Sequence, residues 1–191
     1  MSKYLVTGVA GFIASEVSRQ LLDEGHEVIG IDNLNDYYDV SLKKWRLEEL
    51  KKSSKHLSFE FFKMDLEDKE AVAQLFKQNG SFDAVVNLAA RAGVRYSMEN
   101  PHVYLSTNTV GTLNLLEGMR EAGCRKIVLA STSSLYAGQV MPFTEGLAVN
   151  EPLSPYAASK KAAELMAFSY HKLYGIDVSV VRYFTVFGPA G

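Results

Sequence analysis

Near the N-terminus, the run Tyr4-Leu5-Val6-Thr7-Gly8-Val9-Ala10-Gly11-Phe12-Ile13-Ala14 restricts what this chain can become more than any other stretch. A short apolar strand reaches a turn built on Gly8 and Gly11, and an amphipathic segment leaves it. Gly8 permits a tight turn, and Gly11 lets the backbone come close to a bound group. A small residue at position 14 lets the following helix pack closely on the sheet. The first amides of such a helix, at Phe12 and Ile13, have no partner within the helix and suit an anion. The spacing is Gly-x-x-Gly-x-x-Ala, one residue wider between the first pair than the general dinucleotide fingerprint. Alone, it also fits a glycine-rich turn with no ligand.

Apolar runs alternate with segments of helical period along the rest of the chain. Residues 3–7, 27–32, 58–64, 83–89, 125–131 and 177–184 read as strands rich in Val, Ile, Leu and Phe. Such continuous runs are what strands buried on both faces of a parallel sheet require. Residues 11–24, 40–51, 67–79, 99–122 and 154–174 carry helical periodicity. The repeated strand–helix order predicts an α/β fold, a doubly wound parallel sheet with right-handed crossovers, as one domain over residues 1–191. Residues 132–153, with Gly138, Pro142, Gly146 and Pro152, show neither pattern. They follow the C-terminal end of a strand, where open α/β sheets bind ligands, so a working loop is expected there.

Asp32 narrows the ligand. It closes the second strand 24 positions beyond Gly8, where a carboxylate accepts hydrogen bonds from ribose hydroxyls and repels a 2′-phosphate. The next residues, Asn33-Leu34-Asn35-Asp36, bring no cation. A Rossmann-type site for NAD rather than NADP is expected. A strand-end Asp can also be a plain turn former, but that leaves its spacing to the glycines without a reason.

Ser154-Pro155-Tyr156-Ala157-Ala158-Ser159-Lys160 opens a helix, with Ser154 as N-cap and Pro155 at the first helical position. Tyr156 and Lys160 stand four apart and share one face. A tyrosine hydroxyl is a weak base at neutral pH. A neighbouring ammonium, the positive end of the helix and an oxidised nicotinamide ring all favour the phenolate. The pair then supplies a general base for a hydroxyl whose carbon loses hydride. Such pairs also occur by chance on solvated helices; the glycine turn and Asp32 upstream reverse those odds.

Composition removes several other classes. The chain has 191 residues, 47% of them hydrophobic, enough to bury a core. A formal net charge of −2 without a basic stripe gives nucleic acid no footing. No stretch has the length of a membrane span, and the N-terminus carries no long apolar leader. Cys124 is the sole cysteine, so a reducing cytoplasmic setting is expected. His26, His56, His102 and His171 form no ligand spacing, so no metal site is expected.

Together, the TGxxGFI start, the YxxxK pair and the closing RYFTVFGP resemble the extended short-chain dehydrogenase/reductase family, the NAD-dependent nucleotide-sugar epimerases and dehydratases. Within it, Asp32–Asp39, Ala92-Gly93-Val94-Arg95-Tyr96-Ser97 and Tyr156–Ala162 look like the subgroup of UDP-glucuronate 4-epimerases. The resemblance implies that Asp65 and Leu66 contact adenine, with Asn33 and Tyr183 also on the cofactor. It implies that Leu88, Ala89 and Ala90 line the cofactor, with Asn108 nearby. Thr132 matches the hydroxyl that hydrogen-bonds the reacting sugar oxygen. Ser133 and Ser134 fall where the subgroup contacts the uronate, and Thr185 lies in the strand flanking nicotinamide and sugar. Arg95 is a bidentate donor for a carboxylate or diphosphate, or else a surface arginine. Tyr156 then takes the C4 hydroxyl proton, and a transient 4-keto sugar turns over before hydride returns to its other face. A homodimer through helices 99–122 and 154–174 is implied as well, with Met119, Met166 and the aromatics at 168, 170 and 174 as core or interface.

Four positions depart from the family pattern: Ala14 replaces a glycine, Asn87 a His, Arg91 a Gln and Ala137 a Gly. A 4,6-dehydratase would need an acid and a base after Thr132, where this chain has Ser133 and Ser134. Family members continue past the RxFxVxGP loop into a segment that completes the sugar site. The cofactor half is therefore expected here, with much of the substrate half missing. The functional expectations are a UDP-glucuronate 4-epimerase, a UDP-glucose 4-epimerase or related enzyme, or an NAD-binding module without turnover.

Overall fold

The apolar runs pair into one parallel sheet whose central strands are buried, while the two edge runs, Phe59–Lys63 and Asp177–Tyr183, stay partly exposed. The computed structural model describes residues 1–53, 59–189 and 191. Its strands are β1 (Lys3–Thr7), β2 (Glu27–Asp32), β3 (Phe59–Lys63), β4 (Ala84–Asn87), β5 (Lys126–Thr132) and β6 (Asp177–Tyr183). They lie in the order β3-β2-β1-β4-β5-β6, every pair parallel. Between them run α1 (Phe12–Asp23), α2 (Val40–Ser53), α3 (Lys69–Asn79), α4 (Val94–Glu99), α5 (Pro101–Tyr104), α6 (Gly111–Ala122) and α7 (Pro155–Tyr174). This is the doubly wound Rossmann-type architecture that the strand–helix alternation predicts.

Alternation along each strand builds two cores. Leu5 and Ile29 face one side, where α3, α6 and α7 supply Phe76, Leu115, Met119 and Ala163. Val6 and Val28 face the other, where α1 and α2 supply Ala14, Leu22, Leu47 and Leu50. Ala14 is buried where the closest packing of α1 on the sheet was expected. Ser154 caps α7 by accepting from the Ala157 amide at 3.1 Å, and Pro155 opens the helix. Among the described residues no helix is long and apolar enough to cross a membrane.

Several boundaries differ from the sequence reading. Residue 58 lies outside the described residues. β4 stops at Asn87 because the Leu88 and Ala89 amides donate to the Thr7 hydroxyl, at 3.1 and 3.0 Å, instead of continuing the ladder. The single helix read over 99–122 is divided: α4 precedes it, Pro101 restarts the chain, and a π-helical turn at Leu105–Val110 joins α5 to α6. β6 ends at Tyr183, so Thr185 lies in the loop beyond the strand, not within it. The long segment after β5 opens with a 3-10 turn, Ser133–Tyr136. Ala137 has φ −56°, open to any residue, so the missing glycine there changes little; Gly138 takes the positive φ.

Helices α3 and α6 approach most closely at Gly118, where an added Cβ would lie 2.6 Å from Cε2 of the buried Phe76 ring. Gly118→Ala should therefore overpack this core and cost about 1–3 kcal/mol. A thermal melt should fall by several degrees, and an unchanged melt would contradict the close approach.

Candidate functional site

The strand order reverses direction at β1, whose last residue, Thr7, pairs with Ile31 on one side and Asn87 on the other. A groove opens there, at the C-terminal edge of the sheet, as expected for this topology. It has two compartments that share Gly8, Gly11, Leu88 and Ala90. The smaller, about 120 Å³, is lined by Asp32, Asn33, Asp65, Leu66 and Ala89. The larger, about 680 Å³, is lined by Phe12, Ile13, Thr132, Ser133, Ser134, Tyr156, Lys160, Tyr183 and Thr185. Of the residues singled out from the sequence, all but Asn108 and Arg95 line this groove.

At the glycine turn, Gly8 has φ +69°, and a Cβ there would meet the Ala89 Cα at 2.8 Å. The turns that follow β1 and β4 can meet this closely only without that side chain. Gly11 caps α1 with no side-chain hydrogen bond, and the first turn of α1 carries no acidic residue. Its leading amides therefore face the groove without a protein carboxylate competing for them.

Asp32 is buried at the end of β2. Its carboxylate accepts from the Leu34 amide at 2.8 Å and the Ala10 amide at 3.2 Å. Beside it stands a group that the sequence reading missed. Lys43 on α2 places its ammonium 4.0 Å from Asp32 and bonds the Asn35 carbonyl at 2.9 Å. Burial lowers the Lys43 ammonium from its usual range, and Asp32 opposes that shift. Arg46, one helical turn on, donates to the Ala10 carbonyl at 3.2 Å and to the Tyr38 hydroxyl at 3.0 Å. Both cations lie too far along the chain for a reading of the residues just after Asp32. Their i, i+3 spacing on a helix facing the turn was the available signal.

At the other end, Tyr156 and Lys160 enter the groove from the first turns of α7. The Tyr156 ring packs edge-on against the buried Tyr104, with centroids 6.0 Å apart. Lys160 is only 3% exposed, and its ammonium makes no hydrogen bond among the described residues. Burial brings it down to about 8, with Glu164 pulling the other way. Thr132 ends β5, and its hydroxyl accepts from the Ser134 amide at 3.1 Å. That bond folds the 3-10 turn so that Ser133 and Ser134 line the same wall.

Asn108 and Arg95 lie outside the lining of both compartments. Asn108 is buried behind the groove residue Arg91, and its side-chain oxygen accepts from the Arg91 amide at 2.8 Å. Its side-chain nitrogen donates to the Arg91 carbonyl at 3.1 Å and to the Ser159 hydroxyl at 2.9 Å. Asn108 thus braces the loop after β4 against the helix that carries Tyr156, and lines neither compartment. Arg95 is exposed on α4, next to a groove residue, Val94, but outside the lining.

Residues 5–191 match the family model described as GDP-mannose 4,6 dehydratase. A UDP-glucuronate 4-epimerase of Thermodesulfobacterium geofontis (strain OPF15) is 60% identical over 191 residues, which is all of this chain and 58% of that protein. A crystal structure of a UDP-glucuronic acid 4-epimerase from Bacillus cereus, in complex with UDP-glucuronic acid and NAD, matches with a TM-score of 0.88 at 34% identity. The match covers 98% of this chain and 58% of that one. A UDP-glucose 4-epimerase of Thermus thermophilus in complex with NAD matches at 0.80 and 36% identity, over 98% and 56%. The chain spans a little over half the length of these relatives.

The buried Lys160 ammonium has a consequence for stability. Its folded value, about 8, lies below the ~10.4 of an unfolded lysine. Across that window the unfolded chain holds the extra proton, so this residue's contribution to stability rises as pH rises. Denaturant unfolding without ligand, compared between the unsubstituted chain and Lys160→Met, should show the difference shift by ~1–2 kcal/mol in favour of lysine between about pH 7 and about pH 9.5. A difference that stays constant with pH would contradict the buried ammonium.

Proposed function

The chain belongs to the GDP-mannose 4,6 dehydratase family, and from that premise we propose that it forms the NAD-binding, proton-transferring part of a UDP-glucuronate 4-epimerase. The observation that carries this reading is the single groove in which α7 brings Tyr156 and Lys160 to the same floor as the glycine turn. The residues fit the dinucleotide. The uncapped start of α1 at Phe12 and Ile13 suits the diphosphate, and Gly11 at its N-cap brings no side chain to block the approach. Asp32, Asn33, Asp65 and Leu66 would hold the adenosine half. Leu88, Ala89, Ala90, Tyr156, Lys160 and Tyr183 would hold the nicotinamide half. Asn108 would act on the cofactor only through the loop it braces.

Bound NAD supplies a reversible hydride acceptor, which inversion at a carbinol carbon needs. The chain's own residues handle the proton. Tyr156 takes it from the C4 hydroxyl and returns it after the 4-keto sugar has turned its other face. Lys160 offers a positive charge one helical turn away, which favours the tyrosinate during transfer. Thr132, at the end of β5, donates to the reacting sugar oxygen. Ser133, Ser134 and Thr185 supply hydroxyls to the uronate. Neither Ser133 nor Ser134 carries the carboxyl that elimination of water would need, which favours epimerase over dehydratase. The buried free thiol of Cys124 fits the reducing cytoplasm proposed as its setting.

Two experiments test the proposal. Calorimetric titration of this chain with NAD should show binding; failure to bind would sink the cofactor assignment. The same chain, joined to the C-terminal part of its Thermodesulfobacterium relative, should convert UDP-glucuronate to its C4 epimer. Tyr156→Phe in that chimera should lose about a thousandfold in turnover while still binding NAD. Inversion of UDP-glucose alone would move the assignment to that sugar, and NAD binding without turnover would make the chain a binding module. Leu165, Phe168 and Leu173 leave an exposed apolar stripe on α7, which supports the proposed homodimer. Sedimentation should show a dimer that Phe168→Glu weakens, and a monomer at all concentrations would refute it.

A further inference from the structure

We propose that Arg91, in the same smaller compartment as Lys43, anchors a phosphate of the nucleotide ligand there, an inference that rests on the dinucleotide reading above. Four observations lead there. Arg91 lines that compartment together with Asp32, Tyr37 and Lys43. Its backbone is held at both ends by one side chain, since the Arg91 amide donates to Asn108 and its carbonyl accepts from Asn108. A two-point hold of this kind fixes where the side chain starts. The guanidinium carbon then sits 5.8 Å from the centre of the Tyr37 ring, and Nε is buried without a hydrogen-bond partner among the described residues. A buried N–H left unpaired is costly, and protein interiors rarely keep one without a ligand or water to take it.

Charge supplies the rest of the argument. Burial lowers the Lys43 ammonium, and the neighbouring Arg91 and Arg46 cations push it further in the same direction, against Asp32 and Asp36. Two cations, Arg91 and Lys43, therefore line one small compartment and repel each other. An anion between them turns that repulsion into two attractions, and the planar guanidinium suits a phosphate's paired oxygens. The dinucleotide carries such a group in its bridging diphosphate, whereas a 2′-phosphate would meet the Asp32 carboxylate that lines the same compartment.

Arg91→Gln removes the charge while keeping a polar side chain, and Arg91→Lys keeps the charge. NAD, NADP and adenosine are titrated into each chain and into the unsubstituted one, by calorimetry and by NMR line shifts. Loss of about tenfold or more in NAD affinity for Arg91→Gln, with adenosine unchanged and Arg91→Lys partly restored, places the anchor on the bridging diphosphate. A loss confined to NADP would overturn it, because the anchor would then not serve the bridging diphosphate. Equal losses for adenosine and NAD, or no loss with either dinucleotide, would overturn the inference. If the unsubstituted chain binds no dinucleotide, the reading beneath it fails and takes the inference with it. Equal NAD binding by unsubstituted and Arg91→Gln chains, with NADP binding also equal, removes this inference alone.

Discussion

Thr7 and Asn87 end neighbouring strands with their side chains buried between them, and the placement of the site follows from what they bond. The Thr7 hydroxyl donates to the Asn87 side-chain oxygen at 2.7 Å and accepts the two amides that lead the chain out of β4. Asn87 passes the connection on, donating to the Thr112 hydroxyl at 3.1 Å, and Thr112 donates to the Asn108 carbonyl at 2.7 Å. Asn108 reaches Ser159, whose hydroxyl donates to the Tyr156 carbonyl at 2.8 Å. A continuous buried chain thus runs from the glycine turn to the tyrosine. In a low-dielectric interior such a chain is stiff, because every broken link strands a polar group. Asn87, which departs from the family's usual histidine, is an amide that can accept and donate at once, and this network uses both functions.

The opposite wall of the groove, beyond β5, is held by charge instead. Arg182 on β6 grips Glu164 on α7 with two bonds of 2.9 Å, and also donates to the Tyr136 hydroxyl at 3.0 Å and the Glu145 carbonyl at 3.3 Å. Burial alone would raise the Glu164 carboxyl, but the Arg182 hydrogen bond and charge outweigh it and hold the carboxyl below its usual range. A buried pair of this kind adds little net stability, since desolvation offsets the attraction, yet breaking it is expensive. Its effect is geometric: the turn bearing Ser133 and Ser134, the loop after it, and the helix bearing Lys160 cannot shift independently.

Most of this was legible in the sequence where a local pattern and a physical need coincide. Central strands buried on both faces need unbroken apolar runs, and the partly exposed edge strands β3 and β6 are apolar enough to be read as well, with ends wrong by no more than two residues. Ser154 and Pro155 announced α7 because capping is a local matter. What failed was non-local. Nothing within a few residues of Leu88 says that its amide will turn toward Thr7, 81 positions away. α4 is only six residues long, too short for periodicity to show. The position of Asn108 was implied by resemblance, whereas the direction of its side chain depends on the π-helical turn that carries it. The absence of a cation just after Asp32 was read correctly, but folding brought Lys43 back beside it from α2.

That last return bears on how the cofactor is chosen. A lone Asp32 rejects a 2′-phosphate by plain repulsion. With Lys43 at 4.0 Å, part of that negative field is cancelled, and the carboxylate must discriminate through its hydrogen bonds. Two of these already go to the Ala10 and Leu34 amides, which orient the carboxylate before any ligand arrives. An oriented acceptor favours a hydroxyl donor over a phosphate for reasons of bonding as well as charge, since phosphate oxygens bring no proton to share. The preference for NAD therefore rests less on net charge at the end of β2 than on the two amides that aim the carboxylate. It should persist at salt concentrations that screen the charges around it.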